Sequence, residues 1–338
     1  MSSISFERES VPGLVSVVIP THANEKYIGA TLETIGRQSY ANWEVIVVED
    51  GSTGPTRRIV EEFACRHPQH RVEYSRNDRS YGPSHSRNLA FAKAAGEYVA
   101  LLDSDDLWFP DHLEASVEKL TSTGADVVYS TVLMIEDETE LLLGVWGPDA
   151  SELRGFPQSL FGRSFVTPSA TVMRRQVIAD VGGWNVELRR CEDFEYWLRS
   201  VAVGKKFQHV GGIHCLYRKN HAGALTGKMC ATLEAVAQVS ERFVDIPGVR
   251  RKSCVRLVAR SYALASKVHH RSDPQRDPSA DRSRAPKLMF KAWRLRPTHL
   301  DYLYYGVKQT VANAFRRKSQ TNAVPAPPVE VRSRRAAA

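Results

Sequence analysis

This 338-residue sequence contains no run of about 18 consecutive apolar residues, so no transmembrane helix is expected. Its first ten residues, MSSISFERES, are polar and lack the apolar middle of a signal peptide. Cysteine is scarce: the five residues are scattered, and no two of them have the spacing of a metal site. These absences predict a cytoplasmic protein with ordinary globular composition, whose cysteines are free thiols.

The charges are divided unevenly along the chain. The net charge is +8, but from residue 231 onward 22 Lys and Arg residues oppose 8 Asp and Glu residues, a local balance of +14. The first 230 residues therefore carry −6. An acidic front portion argues against nucleic acid as the main partner, so none is expected.

Apolar runs alternate with helical patterns through the first third of the chain. The predicted strands are 14–20, 43–50, 71–76 and 96–103, and the predicted helices between them are 25–37, 55–65 and 83–95. Continuous runs rich in Val and Ile suit the buried strands of a parallel sheet. The alternation predicts a doubly wound α/β region. Because no G-x-G-x-x-G follows the first strand, a dehydrogenase is disfavoured.

Polar side chains follow three of these strands: PTHAN the first, EDGS the second and DSDD the fourth. Asp and Ser after a strand are also common helix caps and turn formers. Ligands of such sheets bind beyond the carboxyl ends of the strands, so three polar ends at one edge indicate a binding site. Asp103, Asp105 and Asp106 would repel one another unless something positive lies near them.

Beyond Asp111 the pattern is less regular. Strands are predicted at 126–137, 140–146, 169–175 and 205–210, with a loop after the last. The segment CEDFEYWLRS predicts an amphipathic helix that begins near Glu192 and Asp193. The positive end of a helix favours an acid there, but it does not require two. Helices are predicted over 229–244 and 249–269, then a Pro-rich linker, and a last helix over 298–318.

Five separated segments resemble family 2 glycosyltransferases, in the order that this family shows. They are VSVVIPTHANEKYIGATLETIGRQSYANWEVIVVEDGSTG, GPSHSRNLAFAKAAGEYVALLDSDDLWFPDHL, TPSATVMRRQVIADVGGWN, CEDFEYWLR and YRKNHAGALTG. The resemblance runs from Val15 to Gly227 and implies the GT-A fold. This is an α/β, Rossmann-like architecture with a mixed, mostly parallel sheet flanked by helices.

The expected organisation has three parts. Residues 1–228 form the GT-A catalytic domain, residues 229–270 a helical extension, and residues 271–338 a basic linker, an amphipathic helix and a disordered tail. The family resemblance covers only the first part. The helical, basic C-terminal extension is predicted from its own pattern and charge.

The resemblance implies an inverting enzyme that moves a sugar from a nucleotide-sugar, expected to be a UDP-sugar, to an acceptor hydroxyl. The acceptor would be a saccharide or a lipid-linked saccharide in polysaccharide or glycolipid assembly. Mg²⁺ or Mn²⁺ would stabilise the leaving diphosphate, since both are hard cations that prefer oxygen ligands. The alternative is an inactive relative that binds a nucleotide-sugar or a partner protein. Intact Asp103, Asp105 and Asp193 favour the enzyme.

The resemblance also implies roles for individual residues on the donor side. The expected metal ligands are Asp105, Asp106 and His221, with Asp106 either a second ligand or a support for the first. The expected nucleotide-binding residues are Pro20, Thr21, His22, Glu25, Asp50, Arg87 and Asp103. Among them Asp103 lies near the ribose, Asp50 accepts from the base, and Arg87 either supports the nucleotide or pairs with a nearby acid. Glu49 stands where the family usually has Asp, and His22 where it usually has Tyr.

On the acceptor side, Asp193 is the expected general base, and Glu192 would orient the site or contact the acceptor. Trp184 either offers its ring to an acceptor sugar or belongs to the core. Cys191 is interpreted as a small buried residue rather than a nucleophile, because an inverting reaction needs no covalent intermediate.

The last predicted helix carries an apolar stripe with basic residues after it. The stripe consists of Leu300, Leu303, Tyr304, Val307, Val311, Ala314 and Phe315, and the basic residues are Arg316, Arg317 and Lys318. In one alternative the helix lies on an anionic membrane, which suits a lipid-linked acceptor and gives a protein peripheral to the inner face of the membrane. In the other, the stripe packs on the catalytic domain and the basic residues are solvated.

Overall fold

The computed structural model describes residues 4–219, 229–273, 275 and 277–321, with side chains up to residue 314. Its first part alternates strands and helices with short connections. The elements are β1 (Val11–Thr21), α1 (Ile28–Gly36), β2 (Trp43–Glu49), α2 (Thr56–Arg66), β3 (Val72–Arg76), α3 (Pro83–Lys93) and β4 (Gly96–Leu101). The order predicted from the apolar runs is confirmed, with boundaries that differ by a few residues.

The middle of the chain adds further strands and shorter helices. They are β5 (Leu107–Trp108), α4 (His112–Thr123), β6 (Val127–Glu136), β7 (Leu142–Trp146), α5 (Ala150–Arg154), β8 (Thr171–Arg174), α6 (Arg175–Val181), α7 (Glu192–Ala202) and β9 (Phe207–Lys219). The prediction of a short strand followed by a loop after residue 205 is wrong, because β9 is continuous to Lys219. Gly211 and Gly212 have positive φ, and the pairing of β9 with β6 shifts register beside them. A glycine bulge therefore interrupts the sequence pattern without ending the strand.

One nine-stranded sheet joins these elements in the order β3-β2-β1-β4-β8-β6-β9-β5, with β7 paired to β6. The strands from β3 to β4 are all parallel, and β8 is antiparallel to both of its neighbours. Successive residues of β1 enter different hydrophobic clusters: Val18 lies in one, and Val17 and Ile19 lie in the other. The predicted mixed, mostly parallel sheet with helices on its faces is confirmed.

The described part of the C-terminal extension contains four helices: α8 (Met229–Glu241), α9 (Arg251–Arg271), α10 (Ala285–Leu295) and α11 (Leu300–Thr321). The sequence pattern did not predict α10, which begins at the end of the supposed linker. Leu288, Met289 and Ala292 of α10 are buried in the hydrophobic cluster that also contains Val18 of β1. The proposed domain boundaries remain a prediction, but the extension shares a core with the sheet.

The described part of the supposed linker also makes specific contacts. The Asp277 carboxylate accepts a hydrogen bond from the backbone N–H of Cys230 at the start of α8 (2.9 Å). The backbone N–H of Asp281 donates to Nδ1 of the buried His269 in α9 (3.0 Å). These contacts contradict a free linker between Asp277 and Asp281.

The last helix packs on the protein through a face other than the predicted stripe. Gly306 and Gln309 are buried on its inner face, and Gln309 accepts from the Ser266 hydroxyl of α9 (3.0 Å). Four residues of the predicted stripe, Leu300, Tyr304, Val307 and Val311, lie on the opposite face and are between 48% and 68% exposed, whereas Leu303 is half-buried. Thus α11 does pack on the protein, but its apolar stripe faces solvent.

All five cysteines lie in the described part of the chain and are free, as expected. Across the same residues, every helix is too short or too polar to cross a lipid bilayer.

Candidate active site

The carboxyl ends of the parallel strands meet at one edge of the sheet, as the sequence predicts. Thr21 ends β1 directly beside Glu49 of β2, and the N–H of Asp50 donates to the Thr21 carbonyl (2.7 Å). On the other side of β1, Val18 pairs with Leu101 of β4, two residues before the acidic turn. The predicted donor-side residues after these three strands are therefore neighbours.

Side chains from three other segments hold the acidic turn of residues 103–106 in place. The Thr31 hydroxyl of α1 lies 2.9 Å from both the Ser104 and the Asp106 carbonyl. Asn24 donates to the Ser104 hydroxyl (2.8 Å), and the Asp103 N–H donates to the Ser169 hydroxyl (3.1 Å). The turn is thus fixed by its surroundings, and its three carboxylates lie in different environments.

Asp106 is the fully buried carboxylate of the turn. One oxygen accepts from the Ser169 hydroxyl (2.5 Å) and the other from the backbone N–H of Arg218 (2.9 Å). Burial, followed by the charges of Asp105 and Asp103, raises the pKa of Asp106 well above its usual range. Because both oxygens are engaged within the chain, the geometry favours support over direct metal ligation.

Asp103 and Asp105 are the accessible carboxylates. The Asp103 side chain is 28% exposed, and Asp105 is half-buried. Their oxygen chemistry fits Mg²⁺ or Mn²⁺, and a cation would relieve the repulsion that raises the pKa of Asp106. Among the described residues, no three Asp, Glu, His or Cys side chains are arranged as a metal site. Donor phosphates would have to complete the ligand set, as is usual for Mg²⁺. The expected ligand His221 lies outside the described residues.

Arg218 braces the acidic turn from β9, a role that the sequence did not reveal. Its Nε donates to the Asp105 carbonyl (3.1 Å), and its Nη1 donates to the carboxylate of Asp137 (3.1 Å). Asp137 also accepts from the Tyr27 hydroxyl and from Lys26. The available signal was a basic residue within YRKNHAGALTG, one of the segments that resemble the family.

Asp50 organises the loop that follows β3. Its carboxylate accepts from the backbone N–H groups of Tyr81 (2.9 Å) and Gly82 (2.8 Å) and from the side chains of Ser80 and Asn77 (both 2.7 Å). Burial alone would raise the pKa of Asp50, but these hydrogen bonds outweigh burial and lower the pKa. Both oxygens are engaged, so the expected contact with the base stays a prediction that this conformation does not favour.

The remaining donor-side residues line the same edge unequally. The His22 ring is exposed, and its Nδ1 lies 2.7 Å from the Asp50 carbonyl. The buried Thr21 hydroxyl has no hydrogen-bond partner among the described residues. Pro20 is buried within β1. Glu25 is half-buried, and a Cβ added to Gly54 would lie 1.7 Å from its carboxylate, so a larger residue at position 54 would require the Glu25 side chain to move.

The acceptor-side acids lie in the first turn of α7. The Asp193 carboxylate accepts a hydrogen bond from the N–H of Phe194 (2.7 Å). Burial, followed by the neighbouring charge of Glu192, raises the pKa of Asp193 to about 7. A carboxylate with that pKa can take up a proton near neutral pH, which the reaction requires of a general base.

Arg87 of α3 connects the two sets of acids. Its Nη2 donates to Asp103 (2.5 Å), and its Nη1 lies 3.9 Å from the Glu192 carboxylate. The side chain is only 5% exposed. Burial would lower its pKa, but the carboxylates, Asp103 first, outweigh burial and raise it. Arg87 therefore pairs with an acid of the 103–106 turn and with an acid in the first turn of α7.

Two open interpretations are resolved near this arginine. Trp184 is buried, its ring stacks on Tyr196 with centroids 5.2 Å apart, and the Arg87 guanidinium lies 4.5 Å above its face. It is a core residue that supports Arg87. Cys191 is half-buried, and burial raises the pKa of its thiol, so it is not an activated nucleophile.

A mixed sheet whose parallel strands end in an acidic turn, with two further acids facing that turn, defines a GT-A glycosyltransferase fold. The family profile described as Glycosyl transferase family 2 matches residues 16–182. The putative glycosyltransferase EpsE of Bacillus subtilis is 32% identical over 194 residues, covering 56% of this chain and 67% of that protein. The chain belongs to the family 2 glycosyltransferases.

Two further proteins are similar to this chain. The Escherichia coli UDP-Glc:alpha-D-GlcNAc-diphosphoundecaprenol beta-1,3-glucosyltransferase WfgD is 32% identical over 126 residues, which cover 37% of this chain and 48% of that protein. The crystal structure of Staphylococcus aureus TarS 1-349 in complex with UDP matches with a TM-score of 0.61 and 17% identity, covering 88% of each chain. The likeness to TarS shows the fold, including its helical C-terminal part.

Proposed function

We propose that this chain is an inverting, metal-dependent glycosyltransferase that moves a sugar from a UDP-sugar to an acceptor hydroxyl. The observation that carries the proposal is the position of Arg87, which pairs with Asp103 on the donor side and Glu192 on the acceptor side. Inverting transfer needs a leaving-group site and a base on opposite faces of one carbon atom. Arg87 thus joins Asp103 of the acidic turn to Glu192, the residue next to the candidate base Asp193.

On the donor side, Asp103 binds the ribose, and Asp105 is the ligand of Mg²⁺ or Mn²⁺. When bound, the metal ion stabilises the negative charge of the departing diphosphate. Asp106, held by Ser169 and Arg218, keeps the turn in shape. The Thr21 hydroxyl, which has no partner among the described residues, and the exposed His22 ring bind the nucleoside.

On the acceptor side, Asp193 takes the proton from the acceptor hydroxyl while that oxygen attacks the anomeric carbon. The bond between this carbon and the diphosphate oxygen breaks, and its electron pair leaves with the nucleoside diphosphate. The raised pKa of Asp193 supports this role, because a stronger base removes the proton more readily. Glu192 orients the acceptor and remains paired with Arg87.

The similar proteins support the choice of substrates. TarS has been crystallised with UDP, and WfgD by its name uses UDP-Glc and a diphosphoundecaprenol-linked sugar. We accordingly propose a saccharide or lipid-linked saccharide acceptor in cell-envelope polysaccharide assembly. A lipid-linked acceptor would place the enzyme in peripheral contact with the cytoplasmic face of the membrane.

The test measures nucleotide release from a panel of UDP- and GDP-sugars, with Mn²⁺, with Mg²⁺ and with chelator. UDP affinity, determined by calorimetry, should weaken in chelator, and Asp105→Ala should remove most of this metal effect. Asp245→Ala, an exposed acid far along the chain in the extension, is the matched control. Equal UDP affinity with and without metal in the unaltered protein would refute metal dependence. Tight UDP binding without turnover of any sugar would favour the inactive binding module.

A further inference from the structure

One face of α9 is basic and exposed along its whole length. Its members recur at helical spacing and are Arg256, Arg260, Leu264, Lys267 and Arg271, all of them exposed. Helix α9 contains six Lys and Arg residues and no acid. Among the described residues, Arg256, Arg260 and Arg271 have no acidic side chain within ion-pair distance. These positive charges are available to an external partner.

The apolar stripe of α11 lies beside this basic face. Leu300, Tyr304, Val307 and Val311 are between 48% and 68% exposed. The Lys267 ammonium of α9 lies 5.5 Å from the centroid of Tyr305, on the flank of the stripe. These two sets of exposed side chains are together called the basic–apolar face: Arg256, Arg260, Leu264, Lys267 and Arg271 of α9, and Leu300, Tyr304, Val307, Lys308 and Val311 of α11.

The three helices around this face are strongly basic. Helices α9, α10 and α11 contain six, three and four Lys and Arg residues, and Asp301 is their one acid. A water-facing helix gains nothing from a row of exposed Leu, Tyr and Val side chains, which favour an apolar environment. Basic side chains with apolar and aromatic neighbours are the combination that binds anionic lipid headgroups and the acyl boundary below them.

We propose that the basic–apolar face binds the surface of an anionic lipid bilayer. A second copy of the chain would bring two positive faces together, which their charge opposes. Nucleic acid would pair with the arginines but leave the valines and leucine of α11 without an apolar partner. This proposal deepens the membrane contact named under the proposed function, and vesicle binding without any turnover tests it separately.

The experiment is flotation of the full chain with phosphatidylcholine vesicles that contain or lack about 30 mol% phosphatidylglycerol. That anionic fraction gives the vesicle surface a negative potential that attracts basic side chains. We expect binding to the anionic vesicles, weakening with salt, and little binding to phosphatidylcholine alone. Each basic residue near such a surface strengthens binding roughly fivefold. R256E/R260E should therefore weaken binding by at least roughly 25-fold.

Two further variants separate the face from charge in general. V307S/V311S keeps the charge and removes apolar area, and it should weaken vesicle binding several-fold. R57E/R58E makes the same charge change on the exposed surface of α2 in the front part of the chain, and it should change binding less than threefold. Thermal unfolding checks that each variant is folded.

Four results would overturn the proposal. The first is absence of binding to anionic vesicles at low salt, and the second is an equal loss of vesicle binding in R256E/R260E and R57E/R58E. The third is self-association of the chain without vesicles that V307S/V311S abolishes. The fourth is tighter binding to duplex DNA than to vesicles. The third would assign the face to a second copy, and the fourth to nucleic acid.

Discussion

The two ends of this chain place charge in opposite ways. In the front part, acids converge on one sheet edge, and Asp50 and Asp106 are buried with both carboxylate oxygens engaged. In the extension the excess charge is positive and exposed, and apolar residues of α11 share the surface with it. Fixed, partly desolvated charge suits chemistry at one atom. Exposed charge beside apolar side chains suits association with a large, uneven surface.

The contrast is not one of separate domains. Val18 and Met173 of the sheet lie in the same hydrophobic cluster as Val258 of α9 and Met289 of α10. The extension thus has an inner face that completes the catalytic core and an outer face that is free for a partner. Variants of each face should therefore affect different measurements.

Asp193→Asn should have the largest effect of the variants discussed here. The amide keeps the size of the side chain but cannot take up the acceptor proton. General-base contributions are typically about 10²–10⁴-fold, so turnover should fall by roughly that factor. Donor affinity by calorimetry should change little, because the proposed role of Asp193 is on the acceptor and not on the nucleotide. Turnover within a few-fold of that of the unaltered protein would mean that another residue is the base, and Glu192→Gln would be the next variant to test. Loss of donor binding would mean that Asp193 belongs to the nucleotide site.

Met289→Ala tests the shared core. Met289 is fully buried in α10, and truncating a buried methionine to alanine costs about 2–5 kcal/mol of unfolding free energy. The matched variant is Met173→Ala, since Met173 is equally buried in β8. Calorimetry should show a single transition that both variants shift to lower temperature. Two transitions, with Met289→Ala affecting only one, would mean that the extension folds independently.

The sequence predicted the front part well because its signals are local. Buried strands appear in the sequence as apolar runs. Acids that directly follow parallel strands lie at the carboxyl edge of the sheet, because all parallel strands end at that edge. The partners of those acids could not be predicted in the same way. Ser169 and Arg218 lie 63 and 112 residues from Asp106 in the chain, and only the folded sheet brings them together.

The extension was predicted less well, for a physical reason. Helix α10 follows a polar, Pro-rich segment, and Pro286 lies in its first turn, where proline is tolerated. In α11 the apolar stripe suggested the buried face, yet Gly306 and Gln309 are the buried residues. Gly306 allows close approach to Phe290 of α10, and Gln309 is satisfied by Ser266. A pattern of apolar residues identifies a face that avoids water, but it does not say what covers that face.

The pH dependence should show how Arg87 and Glu192 tune the base. Because the pKa of Asp193 is raised to about 7, kcat/KM should fall as the pH drops below about 7 and level off above it. The charge of Arg87 lowers this pKa, and that of Glu192 raises it. Arg87→Gln should therefore shift the acidic side of the pH–rate profile to higher pH, and Glu192→Gln should shift it to lower pH. If the acidic side of the pH–rate profile has the same midpoint in both variants as in the unaltered protein, Asp193 is not the titrating group, whatever the change in rate.

Val307→Ser should have the smallest effect on the stability of the protein. Val307 belongs to the apolar stripe of α11 but is 49% exposed, so the substitution removes little buried area. Serine and valine have similar helix propensities, which leaves no local reason for a large loss. The unfolding free energy should change by no more than about 0.5 kcal/mol, as at ordinary surface positions. Denaturant unfolding beside Met289→Ala provides the measurement. A loss as large as that of Met289→Ala would mean that the stripe is covered within the chain itself, and the contrast between an inner core face and an outer binding face would not hold.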